Sequence, residues 1–484
     1  MRPPWIHRDL MISGTAKVRS RRIMRPSEKQ RAANTRSHQK EYGDGYALLS
    51  WVTPAAAAKA ESRRQELLER IGRQGTIGAS GTKMDMSRLS PGCRLCVAGQ
   101  WSCLFINGKC NGRCFYCPTP QDDIGSPITN TLPFASATDY AAYIEAFGFS
   151  GVSISGGEPL LTLDRVIDYI QTVKQRFEDK VHTWLYTNGT RVTRNILTAL
   201  RDAGLDEIRF NIGATAYHLK KAAMAAGIIP TVTVEIPAVP EELIRLKNLT
   251  ASMSNSGVSH LNLHQLRLTP HNFKHIAGRG YTFIHGDLVT VLESELAALE
   301  VVDHVLSHDI RLGVNYCSFV YKHHYQKAAA RRRAAGIIRK PYEDITEKGF
   351  IRTLSFTGPT DRLAETAEWL KADETVPATD WFFDPKAGRL YVCLRVADRM
   401  DATDLTASVY YAEATLLPAI TYLNPFREIR LTRNKKIFVE RTRRLAPTPV
   451  PQEFLSPGGF AGALATWEIS ESFEGIPHGL ADYY

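Results

Sequence analysis

The chain has 484 residues, 44% of them apolar and 23% charged, an ordinary globular composition that excludes wholesale disorder. No apolar run is long enough for a membrane-spanning helix, so no membrane association is expected. The formal charge is +10, but residues 1–40 hold eleven Lys and Arg against only Asp9 and Glu28, so nine of the ten excess charges lie in that segment. The remaining body is nearly neutral, which is not the basic surface that nucleic-acid binding needs, and nucleic acid is not expected as a partner.

Residues 1–45 read as a basic, disordered tail. No apolar stretch follows Arg21-Arg22, so an export signal is not expected. Residues 46–99 form a helical, cysteine-containing extension. A helix is predicted over 54–71, and Gly72, Gly75, Gly78 and Gly81 then break its pattern. Residues 100–340 alternate between apolar strand-like runs (101–107, 151–155, 181–187, 207–212, 229–236, 260–266, 310–316) and helical windows (136–147, 163–177, 193–203, 217–226, 241–255, 287–307). Repeated strand–helix units imply a parallel sheet covered by helices, either a closed or partial (β/α) barrel or a doubly wound open sheet. Residues 345–484 read as a small α+β appendage. It has a hairpin at Trp381–Asp384 and 389–396, a helix over 403–417 and a basic strand-like stretch over 426–444.

Six of the eight cysteines (Cys93, Cys96, Cys103, Cys110, Cys114, Cys117) fall within residues 93–117. A large chain with one dense thiol cluster and no export signal reads as a reduced, metal-binding, cytoplasmic protein. Cys110-Asn-Gly-Arg-Cys114-Phe-Tyr-Cys117 follows the first predicted barrel strand directly. Three thiolates at that spacing can hold three irons of a [4Fe-4S] cluster and leave the fourth iron open. A zinc knuckle completed by Cys93 or Cys96 is the competing reading. At the end of the second strand stands Ser155-Gly156-Gly157-Glu158-Pro159. Its glycines permit close backbone approach to a ligand, and its carboxylate could accept from an ammonium group.

These two motifs, with Tyr116 before the last cysteine, resemble the radical S-adenosylmethionine (SAM) superfamily. More narrowly, residues 86–340 resemble the pyruvate formate-lyase activating enzyme-like members. The segments that carry this are Ser90-Pro-Gly-Cys93-Arg-Leu-Cys96, Cys114-Phe-Tyr-Cys117-Pro118, Gly156-Gly-Glu-Pro-Leu-Leu-Thr-Leu-Asp164-Arg165, Asp206-Glu-Ile-Arg209, Val234-Glu-Ile-Pro237 and Asn315-Tyr-Cys317. The resemblance implies a partial (β/α)6-type barrel with its site at the C-terminal strand ends. It implies Cys110, Cys114 and Cys117 as cluster ligands, with SAM chelating the open iron. Gly156, Gly157, Glu158 and Pro159 would then meet its methionine moiety, with Glu158 taking the ammonium group. Tyr116 would lie near the adenine, and Asn188, Asn211 and Glu235 are candidates for the ribose and carboxylate. Reductive cleavage of SAM would supply a 5′-deoxyadenosyl radical that takes hydrogen from an unidentified substrate, with electrons from a donor such as flavodoxin or ferredoxin. Glycyl-radical activation and peptide or metabolite modification fit that chemistry. A non-catalytic iron–sulfur or zinc protein and an RNA-modifying enzyme are the alternatives.

Two further groups stand out. Cys93, Cys96 and Cys317 could bind an auxiliary iron–sulfur cluster or zinc. Asn262 and His264 share a period of two on one strand and are candidates to face the substrate inside the barrel. His304 and His308 lie four apart on a helix and read as a solvated face.

Overall fold

The computed structural model describes residues 28–455 and 460–476. Seven parallel strands form one sheet: Trp101–Asn107, Gly151–Gly156, His182–Thr187, Glu207–Phe210, Thr231–Pro237, His260–His264 and Gly313–Cys317. They lie side by side in chain order. Six crossovers join them, each with a helix, so the chain makes six strand–helix units and a seventh closing strand. This is the expected partial barrel. It does not close on itself, because each edge carries a short antiparallel addition. Ile128–Thr129 and Leu132–Pro133 extend the first strand, while Lys83–Met84 and Ile77–Gly78 extend the seventh.

Apolar periodicity explains the helices. Leu163–Phe177 buries Val166, Tyr169, Ile170 and Val173, at the three- and four-residue spacing of one helix face. Ser136 and Thr193 start the first and third crossover helices, their side chains accepting from the amides of Asp139 and Ile196. The strands are buried on both sides, as parallel strands under helices must be.

A short helix, Pro91–Val97, plugs the lower end of the barrel. The Gly92 amide donates to Glu207 Oε2 at 3.0 Å, and Glu207 begins the fourth strand. A Cβ there would come within 2.4 Å of Arg209 Nη2, so a larger residue would have to displace that guanidinium.

Three sequence expectations fail. Of the expected tail, residues 1–27 lie outside the described residues. Residues 28–45 are structured: Glu28–Tyr42 is helical and its His38 is buried against His285. The expected helix over 403–417 is a strand, Thr406–Leu417. Ala407, Val409 and Tyr411 alternate inward on it, and pairing with Ile351–Thr357 overrides the alanine-rich helix propensity. The helix expected from 287 starts at Leu292, because Val289–Val291 pairs with Thr282–His285 as a hairpin.

The C-terminal region has its own core and a six-stranded antiparallel path, as an α+β appendage should. It docks on the first edge of the barrel, where Thr432 Oγ1 donates to Asp139 Oδ1 at 2.8 Å.

Candidate active site

The upper ends of the strands surround a cavity of about 320 Å³. Cys110, Cys114 and Cys117 form part of its wall, all three half-buried. They sit on the loop that leaves the first strand, and the Cys117 amide donates to the Cys114 carbonyl at 3.0 Å to tighten its last turn. Two donors point at the Cys110 sulfur: the Gly112 amide at 3.2 Å and Asn188 Nδ2 at 3.7 Å. Burial pushes the Cys114 and Cys117 thiols above their ordinary values.

The sulfurs of this triad are not drawn together as a single ion would need. Among the described residues, the only group of three or more His, Cys, Asp or Glu whose ligand atoms all lie within 4.8 Å of one another is elsewhere in the molecule. Zinc–sulfur bonds of about 2.3 Å place tetrahedral thiolates about 3.8 Å apart. The wider spacing, with donors aimed at sulfur, suits a multi-iron cluster.

The glycine pair of the second motif works differently from expectation. A Cβ on Gly156 would lie 2.1 Å from the Asn107 carbonyl oxygen, and one on Gly157 would lie 2.0 Å from that of Lys109. The Gly157 and Glu158 amides donate to these two carbonyls at 2.9 and 2.7 Å. Gly156 also has a φ of +129°, a conformation other residues resist. The pair therefore clamps the base of the cysteine loop while also lining the cavity.

Glu158, expected to accept an ammonium group, is held by protein donors. It is fully buried, and Pro159 beside it is buried too. Glu158 Oε1 accepts from Thr187 Oγ1 at 2.7 Å and from the Leu160 amide at 3.1 Å, and Oε2 accepts from the Asn188 amide at 2.6 Å. Burial raises its pKa despite these donors. Glu158 does not border the cavity; it staples the second-strand turn to the end of the third strand. Three donors meet its two oxygens, which leaves one acceptor position on Oε2.

The remaining candidates do border the cavity. Tyr116 donates its hydroxyl to Asn211 Oδ1 at 2.8 Å, and Asn188 Nδ2 donates to Asn111 Oδ1 at 2.8 Å. Glu235 is already engaged: Arg209 Nη1 lies 2.7 Å and Asn262 Nδ2 3.1 Å from its Oε2. Arg209 is the hub that sequence reasoning undervalued. It is 3% exposed, binds Glu207 at 2.8 Å and Ser90 at 3.1 Å, and lies over the rings of Trp184 and Tyr186. Burial opposes the charge on Glu207, but Arg209 and His182 outweigh it and hold that carboxyl below the ordinary range. The alternation of polar residues along 207–211 was the signal for this hub.

Asn262 and His264 both line a second, deeper space of about 50 Å³, and His264 borders the upper cavity as well. Burial, and secondarily Lys322, keep the His264 imidazole neutral, and its Nδ1 has no hydrogen-bond partner.

That deeper space also holds Cys93, Cys96 and Cys317, so the fold does bring these three together. It adds a residue that sequence reasoning missed. Lys83, 1% exposed, donates from Nζ to Cys317 Sγ and to Asn315 Oδ1, each at 2.9 Å. Asn262 Nδ2 donates to Cys93 Sγ at 3.2 Å. Burial keeps the Cys93 and Cys96 thiols protonated by raising their pKa values. A buried ammonium thus shares the space with the three thiols expected to hold an auxiliary metal. Nothing in the motif Gly81-Thr-Lys83-Met announced Lys83, because an edge strand carries it there from outside the barrel repeat.

No helix among the described residues is long and apolar enough to cross a membrane. Residues 104–244 match the family model described as the Radical SAM superfamily. A Methanocaldococcus jannaschii protein, named provisionally as a glycyl-radical enzyme activating enzyme, is 31% identical over 306 residues, which are 60% of this chain and 80% of that one. A GTP 3′,8-cyclase of Lactiplantibacillus plantarum is 32% identical over 112 residues, 22% of this chain and 32% of its own. Among solved structures, Streptococcus suis SuiB bound to its precursor peptide SuiA aligns with a TM-score of 0.33 at 14% identity, over 45% of this chain and 48% of that one. With the cysteine loop and the barrel in place, the chain is an enzyme of the radical SAM superfamily.

Proposed function

We propose that Cys110, Cys114 and Cys117 hold a [4Fe-4S] cluster, that SAM binds in the cavity beside them, and that the enzyme takes hydrogen from a substrate admitted to the same cavity. The observation that carries this is the thiol triad itself. Three cysteines border the large cavity at the strand ends, their sulfurs spread more widely than one ion needs. When bound, the cluster and SAM supply reductive cleavage of a sulfonium and hydrogen abstraction.

The chain's own residues prepare that chemistry. Gly156 and Gly157 fix the loop that presents the thiols, since each missing Cβ and the Gly157 and Glu158 amides meet its backbone. Asn188 and the Gly112 amide stabilise charge on the Cys110 sulfur. Tyr116 and Asn211, bonded to each other, give the cavity a fixed polar wall. The neutral His264 and the cations Arg267 and Lys322 border the cavity next to Phe319, which suits a substrate bearing an anionic group. The substrate class we favour is a glycyl-radical enzyme or similar polypeptide, because a relative matched over 80% of its own length is named as an activating enzyme of glycyl-radical enzymes. A flavodoxin- or ferredoxin-like protein would deliver the electron.

Anaerobically reconstituted protein, given SAM and a strong reductant, should form 5′-deoxyadenosine. Iron-replete wild-type protein that makes none would overturn the catalytic reading. Hydrogen transfer from a deuterated glycyl-radical enzyme peptide into the 5′-deoxyadenosine would identify the substrate class, and transfer only from small metabolites would reject it.

A further inference from the structure

Beside the barrel mouth, and outside both cavities described above, lies a second set of metal-ligating side chains. The chain after the seventh strand continues into a π-helical turn, Tyr321–Gln326, that carries His323 and His324 next to each other. Facing it is the tip of the hairpin Thr282–His285/Val289–Val291, which carries Asp287. One ligand atom from each of Asp287, His323 and His324 lies within 4.8 Å of the other two. Asp287 Oδ2 is 2.6 Å from His324 Nε2, and Asp287 Oδ1 is 3.6 Å from His323 Nε2.

A second observation is independent of that proximity. His324 is 2% exposed, yet neither of its ring nitrogens has a hydrogen-bond partner, so the short contact with Asp287 is not aligned as a hydrogen bond. His323 Nδ1 is buried and unpartnered as well. Buried polar atoms are nearly always satisfied, because an unmade hydrogen bond leaves their desolvation uncompensated. One ion takes one nitrogen from each ring, so a cation beside the carboxylate would satisfy the orphaned His324 Nε2 together with His323 Nε2. Lys348, 8% exposed, also acts on Asp287 and favours its ionised, ligating form.

We propose that Asp287, His323 and His324 bind one divalent transition-metal ion, with zinc the best chemical match. Two imidazole nitrogens and one carboxylate oxygen form a donor set that zinc takes with a fourth, small ligand. The space bordering Asp287 and His323 is only about 10 Å³, which admits a ligand no larger than water. The ion would tie the hairpin to the turn. That turn follows Phe319 and includes Lys322, both of which border the main cavity, so the metal would act as a clip on the wall of the substrate site.

The test uses the full chain with Cys110, Cys114 and Cys117 all changed to Ser, so that triad metal cannot be confused with this site. Zinc titrated into this protein should bind with one ion per chain. Co²⁺ in its place should give d–d bands without thiolate charge transfer. Asp287→Ala and His323→Ala, whose side chains are about one-third exposed, should each weaken zinc binding by more than about 100-fold. Each variant should keep the far-ultraviolet circular dichroism of its parent, and zinc should raise the melting temperature of the parent alone. Zinc bound equally well by both variants, thiolate bands with Co²⁺, or no stoichiometric zinc would each overturn the proposal. None of these outcomes depends on cluster assembly or SAM cleavage.

Discussion

Two groups of three cysteines lie in this barrel, and their surroundings differ. In the upper group, Cys110, Cys114 and Cys117 stand half-buried on a loop at the edge of a large cavity, with donors aimed at one sulfur and no cation among them. In the lower group, Cys93 and Cys317 meet Lys83, Asn262 and Asn315 in a space of about 50 Å³. The same residue type is left available for a ligand in one place and consumed by internal partners in the other. What decides is the charge and hydrogen-bond capacity of the neighbours, not cysteine spacing. A buried ammonium donates to the lower thiol network, whereas an amide of the upper loop turns toward its own sulfur.

The sharpest way to break this contrast is to delete one thiol from each group. Cys114→Ala should abolish both the broad thiolate-to-iron absorption and 5′-deoxyadenosine formation. Cys93→Ala should retain both, and loss of the absorption in Cys93→Ala would mean that the lower thiols also ligate iron.

The next largest effect is expected at the hub between the groups. Arg209→Ala leaves Glu207 buried and Glu235 without its cation. Removing one partner of such a network costs about 3–5 kcal/mol. Denaturant unfolding should show that loss, and a change below 1 kcal/mol, on the scale of an exposed pair, would contradict the hub role.

Glu158→Gln tests whether that residue staples the fold or binds ligand. The amide group would set a donor against the Asn188 or Leu160 amide, costing about 1–3 kcal/mol. The melting temperature should fall while the KM for SAM stays within about threefold, less than 1 kcal/mol of binding. A normal melting temperature with a large rise in KM would return Glu158 to the ligand.

The smallest effect is on pH. Burial lowers the pKa of His264, and of His285 and His323 to about 4 each, so these rings are neutral in the folded state. In the unfolded chain they protonate near pH 6.5. Below that value the unfolded state binds more protons, so stability should be full above about pH 6.5 and fall as pH drops toward 4. Chemical denaturation between pH 4 and 7 should show this, and His264→Gln should flatten the curve slightly. A protein more stable at pH 5 than at pH 7 would contradict these burials.

Much of the barrel was legible in advance. All seven strands and the six crossover helices lie where apolar periodicity placed them, to within a few residues at each end. The exceptions have a common cause. Thr406–Leu417 carries helix-favouring alanines, but its partners across the sheet fix it as a strand. Val289–Val291 fits a helical window, but a hairpin captures it. Glu28–Tyr42 has no apolar pattern of its own and takes its place through contacts such as Tyr42 Oη with the Leu268 carbonyl at 3.1 Å. Each is decided by pairing with residues distant in the chain, which local composition does not report.

The sequence by itself determined the strand–helix alternation, the cysteine loop and its place after the first strand, because these depend on short-range periodicity and spacing. Only the tertiary structure decided what each polar residue faces. Glu158 turns inward to two amides and a hydroxyl, Gly156 and Gly157 press against loop backbone, and Lys83 arrives from an edge strand to occupy the lower thiols. Asp287 meets His323 and His324 across a gap of 36 and 37 residues in the chain. Such roles follow from desolvation and close approach at the end of folding, and these forces act between neighbours in space whatever their separation along the chain.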